Sequence, residues 1–193
     1  MPVSLREYHG LAMRTSNSAA DHDHALNGIF GLLGETGEIA DLYKKWKFQS
    51  TPGTEFPKNA CINELGDVMW YLEELAEGME MTLAEVCNDT FDGIDAVVES
   101  ETAPDPEFSV EHLTRHMCYL ASLISWDYEV ARRGATVLRM VHIVFDIARL
   151  ARFCGVTIAD VAEANVAKLR HRYPDGFDAH VSMQRSAKEY TEQ

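Results

Sequence analysis

Five acidic residues offer the plainest chemistry in the sequence. The segment GLLGETGEIADLYKK spaces Glu35, Glu38 and Asp41 three residues apart, and NELGDVMW further on carries Glu64 and Asp67. On a helix each step of three moves only about 60° around the axis, so Glu35 projects with Glu38, and Glu64 with Asp67. Two such helices packed antiparallel could bring four carboxylates together, an arrangement that repels itself unless protons or cations compensate it. Oxygen-only ligation specifies a hard cation, Mg²⁺ or Mn²⁺, rather than zinc. The competing reading is that acids three apart simply form solvated helix faces. Gly31, Gly34 and Gly37 lie among these acids. Each costs roughly 1 kcal/mol in a helix relative to Ala, a cost that the close approach of a neighbour or ligand could offset.

Other reactive side chains are less organised. His22 and His24 form an H-x-H in ADHDHAL, which reads as a solvated pair, and His112 and His116 stand four apart on an expected helix, where they could hold a metal. No H-E-x-x-H accompanies them, so a zinc hydrolase is not indicated. Cys61, Cys87, Cys118 and Cys154 lie far apart with no C-x-x-C pair, so neither a zinc knuckle nor a disulfide framework is indicated and buried free thiols in a reducing compartment fit best. P-loop, dinucleotide-binding and nucleophile-elbow patterns are absent.

The elements that must position these residues are helices. Helical periodicity runs through most of the chain and sustained alternation is missing, so the expected fold is all-α. The first helix is expected over about Leu5–Thr15 and a long second one from about Ala25 to Phe48, ended by the loop QSTPGTEFPKN. A third runs from about Ala60 to Glu77, with Ile62, Leu65, Met69, Leu72 and Ala76 on one apolar stripe. Thr82 with Glu85 forms a capping box for a helix through about Asp95. The acidic, proline-containing stretch ESETAPDPE, residues 99–107, reads as a linker between a first repeat (1–98) and a second (108–193), whose helices are expected at about 109–133, 135–153 and 157–171. A shift of 75 residues lays TLAEV (82–86) on TIADV (157–161), which suggests a degenerate tandem duplication packed as one bundle.

Composition bounds the function. A chain of 193 residues, 46% of them hydrophobic, can bury a real core. Its net charge of −14 repels nucleic-acid phosphates, so a generic nucleic-acid or membrane-surface binder is disfavoured; a phosphate compound can still bind through a divalent cation. With no apolar run near ~18 residues and no leader-like start, the expected address is the cytoplasm.

In these motifs the chain resembles the MazG-like, all-α nucleoside triphosphate pyrophosphohydrolases. Their E-x-x-E-x-x-D and following E-x-x-D are matched by Glu35, Glu38, Asp41, Glu64 and Asp67, and the family-like stretches YHGLAMRT, ELGDVMWYLEELA and NVAKLRHRYPDGF also occur. The resemblance implies Mg²⁺-dependent cleavage of a (d)NTP to the monophosphate and pyrophosphate, with Mn²⁺ as a substitute ion. Glu35, Glu38, Glu64 and Asp67 would be ligands, Glu38 would accept the proton of the attacking water, and Asp41 would be an outer ligand. Lys44, Lys45, Lys168 and Arg172 would pair with phosphate oxygens, Asn165 would orient sugar or phosphate, and Tyr173, like Trp46 and Trp70, could stack on a base or belong to the core. Relatives include all-α dUTPases and phosphoribosyl-ATP pyrophosphatases, so the motifs leave the substrate open.

One departure from the family pattern is informative. The N-x-x-K-L-x-x-R-Y-P run, with Asn165, Lys168, Arg172 and Tyr173, appears only in the second half, while the shift of 75 sets Arg139 and His142 opposite Glu64 and Asp67. This implies a division of labour: the first half supplies the metal site and the second the phosphate and nucleoside contacts. A catalytically weak nucleotide sensor is the alternative. A homodimer through a C₂ interface is compatible with either, and the polar tail after Phe177 could be mobile or cover a neighbour.

Overall fold

The computed structural model describes residues 3–17, 21–88, 90–102, 105–123 and 130–178. Among them every regular element is a helix: α1 (Leu5–Met13), α2 (Asp21–Gln49), α3 (Lys58–Glu77), α4 (Leu83–Cys87), α5 (Phe91–Ser100), α6 (Pro106–Leu123), α7 (Val130–Cys154) and α8 (Ile158–Arg172). None is both long and apolar enough to cross a membrane. The polar tail from residue 179 onward lies outside the described residues.

At the centre is α3. Its stripe residues Leu65, Met69, Leu72 and Ala76 are fully buried, but so are Val68 and Leu75, because α2, α7 and α8 all pack against it and α1 and α4 close its remaining sides. A single apolar stripe is therefore too narrow a description of this helix. α2 runs antiparallel to α3 and approaches it closely. A Cβ at Gly28 would fall 2.7 Å from the backbone nitrogen of Leu75, and one at Gly31 would fall 2.1 Å from the Tyr71 ring. Gly34 and Gly37 face open space, so close packing accounts for the first of the three site-flanking glycines and not for the other two. α6 and α7 form a second pair, joined to the first through α2 with α6 and α3 with α7. One apolar cluster runs through both pairs, from Leu5 and Leu32 to Ile147 and Val166.

Local rules set the helix ends. Ser4, Thr82 and Thr157 each accept a hydrogen bond from the amide three residues on, and Glu7, Glu85 and Asp160 in turn accept one from the cap amide. Asp105 accepts from the amides of Glu107 and Phe108, which starts α6 with Pro106 at its first position, where a missing N–H is harmless.

Several sequence expectations change. α2 begins at Asp21 rather than near Ala25, which turns the H-x-H segment from loop into helix. The helix capped by Thr82 stops at Cys87 instead of continuing toward Asp95, because Asn88 takes a left-handed conformation (φ 48°) and Thr90 then caps α5. α5 extends to Ser100 and α6 opens at Pro106, so the expected linker, residues 99–107, is helical at both ends. Glu101, within that stretch, holds Arg149 through both carboxylate oxygens at 2.8 and 2.7 Å. No break occurs near residue 134: Gly134 lies inside α7, while residues 124–129 fall outside the described set. Cys61, Cys87, Cys118 and Cys154 are free thiols.

Candidate metal centre

The antiparallel pairing of α2 with α3 sets Glu35 against Glu64 and Asp67, with one oxygen of each within 4.8 Å of the others. All three are half-buried. Burial, followed by the negative charges of Asp67 and Glu64, pushes the Glu35 carboxyl up to about 7. Glu64 is raised by burial and by Asp67, while its hydrogen bond with Glu35 works in the opposite sense. This is the behaviour of an acid pair that shares a proton for want of positive charge.

Positive charge arrives from the other half of the chain. Lys168 on α8 donates to Asp67 Oδ1 at 2.5 Å and to the Asn63 carbonyl at 3.3 Å. Asn165, one turn earlier and buried, donates to the same Asp67 oxygen at 3.3 Å, and its own Oδ1 accepts from the Tyr8 hydroxyl at 3.0 Å. The glycine of E-L-G-D has a packing reason here. A Cβ on Gly66 would come within 3.0 Å of the Asn165 Cβ, so the glycine lets α8 lie close enough to bring Asn165 and Lys168 to Asp67.

The remaining candidates sit at varying distances from this centre. Glu38 is exposed on α2, outside the trio, although its charge reaches Glu64. Asp41 binds Lys44 and Lys45 along the surface of α2, which holds its carboxyl below the usual range and engages both lysines there. Arg172 is half-buried one turn beyond Lys168. Tyr173 ends α8, and its carbonyl accepts from Arg14 Nη2 at 2.7 Å. Trp46 packs edge-on to Phe56 and donates to the Thr54 carbonyl, and Trp70 donates to Ala12 and Thr15, so both indoles serve the scaffold.

Sequence reasoning passed over several participants. Tyr71 lies beside the acids: burial first, then Glu35 and Asp67, push its phenol up to about 12. Tyr8 is fully buried, and its phenol is likewise raised by burial. The signals were faint, a tyrosine on the acidic helix and one in YHGLAMRT. Glu73 and Glu74, which the sequence reading did not single out, are fully buried. Glu73 accepts from His9 at 2.8 Å and from the Leu83 amide at 3.0 Å. Glu74 accepts from Ser16 and Asn27 and pairs with His24 at 3.2 Å, so His24 is not the solvated residue that the H-x-H pattern suggests.

No family model matches the chain, and no solved structure matches it. Over 57 residues it is 40% identical to the Gene 37 protein of Mycobacterium phage L5, a stretch that covers 29% of this chain. The match spans 50% of that protein's length, so the chain covers about half of this curated relative.

Proposed function

We propose that this chain is a Mg²⁺-dependent nucleoside triphosphate pyrophosphohydrolase of the MazG-like, all-α type, releasing pyrophosphate and a (d)NMP from a (d)NTP. The observation that carries the reading is the meeting of Glu35, Glu64 and Asp67 with Lys168 and Asn165, residues from the two halves of the chain. An all-oxygen donor set with too little positive charge suits a hard divalent cation, and Glu35, Glu64 and Asp67 are the residues that would hold it. Bound there, Mg²⁺ would neutralise phosphate oxygens and make water a stronger nucleophile.

The chain's own groups supply the rest. Lys168, paired with Asp67, is placed to turn to a phosphate oxygen, and Arg172 can add a bidentate contact from the same helix. Asn165, tied to Tyr8, holds the Asp67 oxygen in orientation. Glu38, exposed beside the trio, is the proton acceptor of this reading. Lys44 and Lys45 are engaged with Asp41 and take no phosphate role in it. The same reading treats the halves as a degenerate tandem repeat, supported by the matching capping boxes at Thr82 and Thr157.

The test is pyrophosphate release from a panel of canonical and modified dNTPs and NTPs, dUTP and phosphoribosyl-ATP included, with Mg²⁺, Mn²⁺ or chelator. Metal-dependent release, lost in Glu38→Gln and in Asp67→Asn with the helical signal intact, is the expected result. The presence of Arg139 in place of a second acidic motif favours one other reading, a weak nucleotide sensor. Metal-dependent nucleotide binding without turnover would move the conclusion there.

A further inference from the structure

A second group of converging donors lies between α6 and α7, in the half of the chain that lacks the acidic pattern. His112 and His116 stand one turn apart on α6, and Asp146 faces them from α7. One ligand atom of each lies within 4.8 Å of the others. Asp146 is fully buried. Its Oδ1 accepts from Arg149 Nη1 at 2.9 Å, and Arg149 is itself held by both oxygens of Glu101, so the carboxylate is fixed in orientation. Its Oδ2 is buried without a hydrogen-bond partner. A buried carboxylate oxygen with no donor bears its full desolvation penalty unless a proton or a cation occupies it; burial raises the Asp146 carboxyl to about 7, so a cation bound here takes the place of a proton.

His116 is buried and His112 half-buried beside Asp146, and an imidazole binds a metal through the lone pair of its neutral form.

The geometry points to a transition-metal site, separate from the acidic centre, in which His112, His116 and Asp146 bind a borderline divalent cation of the Zn²⁺ class. Two imidazole nitrogens and one carboxylate oxygen select such an ion over Mg²⁺. Arg149 plays the outer-shell part, orienting the ligating carboxylate. The cation takes Oδ2, the oxygen left without a donor, and ties α6 to α7. Three protein ligands leave a further coordination position to solvent. Arg139 competes for the site: its Nη1 lies 3.3 Å from His116 Nδ1 while its guanidinium stacks 4.4 Å from the Tyr119 ring centroid. It must release that nitrogen or leave the other as the donor.

Equilibrium dialysis of the full, untagged chain against micromolar ZnCl₂, with millimolar Mg²⁺ present to occupy the acidic centre, tests this directly. One Zn²⁺ per chain is expected for the unaltered protein and for Glu64→Gln. His112→Gln and His116→Gln are expected to weaken retention by about 100-fold or more, since loss of even an outer-shell partner costs about 10- to 100-fold. His112 is only half-buried, so its variant should keep the helical melting curve. Arg139→Gln is expected to tighten binding, which unfolding could not produce. Failure of the unaltered chain to retain Zn²⁺, equal retention by the two histidine variants, or loss with Glu64→Gln alone would each overturn the assignment.

Discussion

The elbow between α3 and α4 and the elbow between α7 and α8 have the same geometry with different residues. In the first, the Glu80 amide donates to the Glu77 carbonyl and the Met81 amide to Ala76, at 2.8 and 3.0 Å; in the second, Gly155 donates to Arg152 and Val156 to Ala151, both at 3.0 Å. Each passes through a left-handed residue, Glu80 at φ 53° and Gly155 at φ 88°, into a threonine-capped helix. Where the chain doubles back alike, the polar faces diverge. α3 turns Glu64 and Asp67 toward Glu35, whereas α7 presents Arg139 and Asp146 to the histidines of α6. Apolar packing and capping decide how helices meet, and they leave the polar positions between them free to carry different chemistry.

That contrast can be broken most severely at the acidic centre. On the proposed function, Glu64→Gln should lower pyrophosphate release by about 10²–10³-fold or more, the scale seen when one group that stabilises a transition state is removed. Arg139→Gln, at the matching place in the second half, should leave the rate within about twofold, and equal losses in both would show that the polar face of α7 serves the same reaction as that of α3. Gly28→Ala should destabilise the chain by about 1–3 kcal/mol in a denaturant titration, since its Cβ would meet the Leu75 backbone, which cannot yield as a flexible side chain would.

Glu80→Gly should stabilise by up to about 1 kcal/mol by removing a side chain from a left-handed position, making the first elbow like the second. Gly134→Ala, with nothing near its Cβ inside α7, should gain a similar amount, and a loss there would mean a neighbour approaches that face. With chelator present, melting temperature should fall slightly as pH rises from about 5 to about 7. Glu35 and Asp146 each hold a proton up to about 7 when folded but release it near 4.5 and 3.8 when unfolded. At these two groups the folded chain binds more protons in that window, which outweighs the opposite effect of His116, lowered by burial to about 4, so stability declines slightly with pH. Glu35→Gln should make the slope shallower, and Mg²⁺ should do the same through the acidic centre while leaving the Asp146 share; a melting temperature that rose with pH would contradict both shifts.

The features legible in the sequence were local and periodic. The all-helical class follows from periodicity over the whole chain, and the boxes at Thr82 and Thr157 follow from residues three apart, because both depend on neighbours within a turn. The pairing of Glu64 with Asp67 on one face is likewise readable from spacing. Which of these acids meet depends on how the helices pack. Glu35 reaches Asp67 while Asp41 is held by Lys44 and Lys45, since the register of α2 on α3 is set by close contacts at Gly28 and Gly31. The burial of Glu73, Glu74 and Asp146 was equally beyond reach of the sequence. A carboxylate is expected in water until donors from distant segments, such as His9, Asn27 and Arg149, satisfy it inside, and those donors share a neighbourhood only once the helices have packed.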